Sequence, residues 1–479
     1  VPLDKYFRSA LLVVLATAPL LFGARHPLIH GLYSCLLLLI AGGWLVVNSE
    51  WRPGRLMTFG RLVPVLLLLF IGLTALSLPA PLLGLLTPVR ADYLAEAARL
   101  ADLPDLITSL SYFAPGTLFY AVYGAALLLL YYFALALLRS QDMVRSLLWV
   151  ITLVGVFEAA YGLLQATNPA LGVLWLPSTA DTYAGCARGT IIYRNQYAAF
   201  MNLCWPMTLA LGISLYKAAP EQIDRPRRRI KDLAPATTAS LLLQKAAIPL
   251  WSVGLMILAL IFSRSRGGIL VMVLLAGLFL YLLAFPRRYK FLGAGLLMLF
   301  VGIYGGVIGF AEVIDRFTTF YESALFRFDL WRKSLDMLWD HVVTGIGMGS
   351  YEFLSPAYLK DVPSSVWFDR AHNEYVELTI ELGLPAMLLV VAWLAWGMTR
   401  AGATLLSTKR NQRDHNEMNI HDLAAAGAFC GITGLLLHAW VDFVWRLPVI
   451  IIYAVVLLAV MHAKMERKEG SEASRPAEG

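Results

Sequence analysis

Apolar runs long enough to cross a bilayer follow one another along almost the whole chain, and this leaves very few folds open. A spanning helix needs about 20 mostly apolar residues. Such runs lie near 6–24, 28–47, 62–78, 115–138, 146–166, 196–216, 246–262, 267–285, 291–311, 376–398, 422–442 and 447–464, about 12 in all. Backbone polar groups inside hydrocarbon must pair within the segment or with a closed sheet. Runs of this length therefore predict an all-α, polytopic membrane protein. The chain is 59% hydrophobic and 15% charged, against about 45–50% and about 25% in a soluble domain. That excludes a secreted or cytosolic enzyme, a fibrous protein and a disordered one. The net charge of +7 does not imply nucleic acid, because the basic residues sit in loops between apolar runs, where they act as topology signals.

Charge bias orients the spans. With the N-terminus cytoplasmic, roughly two thirds of the lysines and arginines fall on the inner side. The strongest inner signals are Arg225-Pro226-Arg227-Arg228-Arg229 and Arg287-Arg288-Tyr289-Lys290. Both termini are then cytoplasmic. The first apolar run is followed at once by a second, so it reads as a retained anchor and not a cleavable signal. Residues 1–464 are expected to form one transmembrane unit, and the polar stretch 465–479 a disordered cytoplasmic tail. Three outer segments are long. In 79–114, apolar residues at helical spacing predict a helix lying on the outer surface. Residues 167–195 are rich in Gly, Thr and Tyr. Residues 312–375 form the largest outer loop, with an amphipathic helix through Ala324, Phe328, Trp331, Leu335 and Leu338. Cys35, Cys204 and Cys430 lie in apolar runs, and Cys186 lies in a polar loop. No Cys or His spacing suggests a metal.

The informative residues are charges on the side that topology should leave poor in them. Ser263-Arg264-Ser265-Arg266-Gly267-Gly268 puts two arginines in a short outer turn, at the start of the span from Gly267. Ser263 or Ser265 is placed to cap that helix, whose N-terminus favours an anion. The pair is either a phosphate clamp or two interfacial arginines that reach for water. Arg327 shares a helix face with Trp331. His372 and Asn373 precede the tenth span at its outer mouth, with Glu374, Glu377 and Glu381 on the first turns. Histidine ionises nearest neutral pH of any side chain, which suits a general base. It equally suits an interfacial cap. Tyr193-Arg194-Asn195-Gln196 offers further donors to an anion, or an ordinary turn. His438 and Asp442 are one turn apart, either a structural pair or an orienting one. Asp340-His341 reads as a loop cap or a metal ligand, the cap being favoured, and Gly345, Gly347 and Gly349 as a returning turn. That glycine run is no dinucleotide fingerprint, because no strand–helix unit surrounds it.

Together these strings resemble the O-antigen ligase superfamily, which includes O-antigen ligases, O-antigen and exopolysaccharide polymerases and protein O-oligosaccharyltransferases. The resemblance rests on Ser263 to Gly268, Arg327 with Trp331, Asp340-His341 with Gly345 to Gly349, and above all Ala371-His372-Asn373-Glu374-Tyr375 running on to Glu381-Leu382-Gly383. Weaker strings are Phe22 to Pro27, Tyr193-Arg194-Asn195 and His438 to Phe443. Where the family has two glycines three apart, this chain has Gly383 and Ala386. The resemblance implies a helical bundle of the membrane glycosyltransferase type, with a long periplasmic loop, in the bacterial inner membrane. It implies transfer of a glycan from undecaprenyl pyrophosphate to an acceptor hydroxyl on a glycan or lipid A-core, on the periplasmic side. Neither cofactor nor metal is implied. Arg266 and Arg327 would bind the pyrophosphate, with Arg264 and Arg194 as lesser partners, and His372 would activate the acceptor. Asn373, Glu377, Trp331 and His438 stand as substrate-binding candidates. The alternative function is a transporter or flippase of lipid-linked sugars, but no repeat symmetry or broken-helix pair supports it.

Overall fold

The computed structural model describes residues 3–51, 58–101, 108–174, 176, 183–223, 235–283, 291, 295, 299, 303, 310–359, 369–412 and 418–473. The described residues are helical and irregular, with no strand beyond two isolated bridges. In chain order the helices are α1 Leu3–Thr17, α2 Pro27–Val47, α3 Thr58–Thr74, α4 Ala80–Leu86, α5 Pro88–Ala101, α6 Ala114–Leu137, α7 Gln141–Thr167 and α8 Arg194–Ile223. There follow α9 Pro235–Phe262, α10 Arg266–Leu282, α11 Phe310–Asp340, α12 Tyr351–Tyr358, α13 Glu374–Leu382, α14 Leu384–Gln412, α15 Ile420–His438 and α16 Pro448–Ala473.

Eight of the described helices are long and apolar enough to cross a membrane, and the shorter apolar segments Leu62–Thr74 and Arg266–Leu282 fill two more expected spans. The first run does not extend to residue 24. α1 stops at Thr17, and the chain turns through a short 3-10 segment at Phe22–Ala24 with Gly23 at φ 63°. Pro19 explains the stop, since its ring cannot continue a helix. The expected span 291–311 and both basic inner clusters fall largely or wholly outside the described residues. The tenth run is corrected from one helix to two. Gly383, at φ 78°, separates α13 from α14, and a Cβ there would lie 2.5 Å from the Val343 carbonyl oxygen. The last helix continues to Ala473, beyond the expected end at 464.

The centre of the bundle is α8, α15 and α16, in each of which about four fifths of the span is buried. α14 lies at the margin, with 17% of its span buried. Small residues bring the central helices together. A Cβ on Gly427 of α15 would lie 2.9 Å from the Pro206 carbonyl oxygen of α8, and one on Gly434 would lie 2.6 Å from Leu275 of α10. Close approach of this kind is how helices associate where lipid removes the hydrophobic drive. Helix ends carry the expected signals. Asn419 and Asp422 form a reciprocal capping box on α15, and Pro27 and Pro448 open α2 and α16.

One end of the bundle is roofed by residues 79–101 and 108–114 and by α11 to α13. The expected surface helix is two pieces, α4 and α5. Arg90 of α5 is buried and donates to the Ser109 and Ser111 carbonyls, with its guanidinium 4.1 Å from the Tyr112 ring centre. Tyr112 in turn bonds the His341 Nε2 at 2.7 Å and joins the glycine turn through a backbone bond to Ile346. Gly345, Gly347 and Gly349 all have positive φ. Their turn wraps the C-terminus of α13, where Ile346 and Gly347 donate to the carbonyls of Ile380 and Glu381. Those are acceptors a helix end leaves without intrahelical partners.

Candidate active site

The bundle end under that roof gathers the residues singled out by the motifs. Ser265 is the N-cap of α10, its Oγ accepting from Gly268 N at 3.3 Å. Ser263 Oγ accepts from Ser265 N at 3.2 Å and holds the turn. Arg264, between them, is exposed and sits at φ 56°. Arg266 begins the helix, also exposed. The next residue, Gly267, lies against the 438–443 segment. A Cβ there would be 3.1 Å from Val441 and 3.3 Å from His438 Nε2. A side chain at 267 would thus separate the arginine turn from that segment.

Arg327 approaches the same segment from α11, donating from Nη1 to the Val441 carbonyl at 2.8 Å. His372 approaches it from the other side. Its Nδ1 lies 3.7 Å from Asp442 Oδ1, within ion-pair range and beyond hydrogen-bonding distance. Its ring meets Phe443 edge-on at 5.0 Å. His372 also occupies the left-handed region, at φ 54°. Arg264 and His372 are thus both non-glycine residues in a conformation that costs on the order of 1–3 kcal/mol. Such strain persists where the surroundings over-determine it, and here they do. Ala371 N–H donates to Glu377 Oε2 at 3.0 Å, and the Ala371 carbonyl accepts from Trp331 Nε1 at 2.8 Å. On the far side, Glu374 N–H donates to the Ala439 carbonyl. Asn373 caps α13 through Tyr375 and Val376 N–H.

Asp442 is the hub. Its Oδ2 accepts from Asn195 Nδ2 and from the Tyr193 hydroxyl, and its Oδ1 from Phe443 N–H at 2.8 Å. Tyr193 stacks on Phe443 at 4.9 Å with the rings nearly parallel. Burial would raise the Asp442 carboxyl, but the His372 and His438 imidazoles and the Phe443 N–H outweigh it and hold it below the usual range. The buried anion stays charged and faces His372. Arg194 lies off this hub, its Nη1 3.9 Å from Cys186 Sγ and its guanidinium 5.4 Å from the Tyr183 ring centre.

Behind His372 is a buried ionic cluster. Glu374, Glu377 and Glu381 are all fully buried against Arg446, whose side chain is 7% exposed. Arg446 Nη2 reaches Glu377 Oε1 at 2.8 Å and Glu381 Oε2 at 2.6 Å, while Arg370 Nη1 reaches Glu377 Oε1 at 3.2 Å. Glu381 Oε1 also accepts from Gly349 and Tyr351 N–H, which ties the glycine turn and the start of α12 to α13. Burial works against the Arg446 cation, but Glu381 and Glu377 hold it well above the usual range. Burial pushes the Glu374 carboxyl up, with Arg446 pulling the other way. Burial likewise pushes the Glu381 carboxyl up, with Arg446 again pulling the other way.

A family model described as O-antigen ligase matches residues 251–391. This segment is similar to the O-antigen ligase family. Comparison with curated proteins finds no match. The matched segment spans Arg264, Arg266, Arg327, Trp331, His372, Asn373 and Glu377. Arg194, His438 and the 442–446 residues lie outside it. The structure brings Arg327, His372, His438 and the Arg266 turn onto one short segment. It sets Arg194 off the hub and encloses Glu377 inside the frame, away from the mouth. Two residues carry more here than sequence reasoning gave them. Spacing pairs Asp442 with His438, to orient each other or a ligand, and gives Arg446 no partner. Its one signal is an arginine immediately ahead of an apolar span. Among the described residues, no group of three or more His, Cys, Asp or Glu is placed to hold a metal.

Proposed function

We propose that the chain transfers a glycan from undecaprenyl pyrophosphate to an acceptor sugar hydroxyl on the periplasmic side of the bacterial inner membrane. The observation that carries this reading is the convergence of His372, Arg327 and the Arg266 turn on residues 438–443. His372, with Asp442 beside its Nδ1, takes the proton of the acceptor hydroxyl. The hydroxyl oxygen attacks the anomeric carbon as that carbon's bond to the diphosphate oxygen breaks. Displacement in one step inverts the anomeric centre. The leaving diphosphate gains negative charge, which Arg266, Arg327 and the α10 N-terminus stabilise, with Arg264 and Arg194 farther out. Arginine charge and a helix dipole perform the work a metal performs elsewhere, so the reaction is read as metal-independent.

The test is transfer from a purified lipid-linked glycan by the reconstituted protein. His372→Ala should lower the rate by about 10²–10⁴-fold with the melting transition retained. Undiminished transfer by that variant would refute the assignment. Ligation and polymerisation separate in a deletion strain of the host. Single repeat units accumulating on undecaprenyl pyrophosphate mark a polymerase, and long lipid-linked chains mark a ligase.

A further inference from the structure

The bundle end opposite His372 holds a second polar cavity, of about 440 Å³, which the proposed transfer does not use. It lies where α1 begins, α2 ends and α6 turns into α7, and its polar lining is Asp4, Arg8, Asn48, Arg139 and Ser140, with Trp44 and Trp51. Ser140 is the N-cap of the 27-residue α7, with an extended backbone and no side-chain cap bond. The first N–H groups of that helix and its positive dipole end therefore face the cavity without a capping oxygen. Two further donors are buried there without hydrogen-bond partners, Arg8 Nε and the Trp44 indole Nε1. Trp44 is only 4% exposed. Leaving such donors unsatisfied costs about 1–3 kcal/mol each, and an acceptor in the cavity removes that cost.

The charge balance specifies the acceptor. Arg139 already pairs with Glu466 at 2.7 Å and lies over Trp51. Arg8 makes no ion pair among the described residues, so it is the uncompensated cation facing a helix N-terminus. Arginine donors around a helix N-terminus suit a phosphate oxygen. The position specifies its source. The cavity opens at the ends of apolar spans, beside Val46 and Val47, which are 79% and 50% exposed on the bundle surface. Tryptophans at such a level mark the membrane–water interface, and basic pockets between spans there bind acidic headgroups.

We propose that this cavity binds the phosphodiester headgroup of an anionic phospholipid, whose chains run along the apolar end of α2. The full-length protein in nanodiscs of phosphatidylcholine with one tenth phosphatidylglycerol tests it, with retained lipid measured by native mass spectrometry. Phosphatidylglycerol should be retained preferentially. Arg8→Gln should cut that preference by about fivefold, the factor expected of one arginine at a membrane surface, and Arg8→Lys should keep most of it. Equal preference in Arg8→Gln and the parent protein would overturn the proposal. So would displacement of the lipid by millimolar inorganic phosphate, which would mark a free-anion site. His372→Ala should leave the preference unchanged, because its site is at the other end of the bundle.

Discussion

Arg327 and the turn that carries Arg266 approach residues 438–443 from two helices. Truncating either arginine to Ala should slow glycan transfer by about 10²–10³-fold and leave membrane insertion intact, as read by initial rates and by extraction in detergent. Full activity in either variant would remove the anion-clamp assignment. Asp442→Asn tests the hub differently. It keeps the shape and loses the charge beside His372, so the rate should fall while the protein stays folded. An unchanged rate would separate His372 from Asp442 in function. Some of these residues were readable in the sequence because their chemistry is local. Ser265 caps the helix that follows it within three residues, and His372 adjoins an N-cap asparagine. Arg446 was not readable. Its partners Glu374 and Glu381 lie 65 or more residues earlier, and no periodicity links an arginine in one turn to carboxylates in another.

α13 is a nine-residue helix between two backbone exceptions, His372 and Gly383. Its side chains face inward onto charges, which is why the sequence misled. Read for hydropathy alone, it joins α14 into a single span, and only the φ of Gly383 divides them. Its carboxylates are predicted to be unequal. Glu374 is the most distant of the three from Arg446, at 3.8 Å, so Glu374→Gln should shift stability by less than about 1 kcal/mol. Glu377→Gln or Arg446→Gln breaks a buried pair and should cost about 3–5 kcal/mol, measured by thermal unfolding in one detergent. Equal losses in all three would contradict that ranking. Gly345→Ala should also destabilise, because its Cβ would fall 2.3 Å from the Glu381 carbonyl oxygen.

Across the whole molecule, the two proposed sites lie at opposite ends. Arginines, His372 and Asp442 occupy one end, and basic, tryptophan-rich surface the other. A strong chelator should leave transfer unchanged. Loss of activity that a divalent ion restores would contradict charge stabilisation by arginine alone. The Arg446 cluster also bears on how the protein is made. Residue 446 leaves the ribosome after all three of its glutamates have been synthesised. Until then Arg370 is in place for Glu377 alone. A chain halted before that point would present a stretch of acid that cannot settle into its packed form, and proteases would find it open. The turn before the final helix thus closes this cluster only late in synthesis.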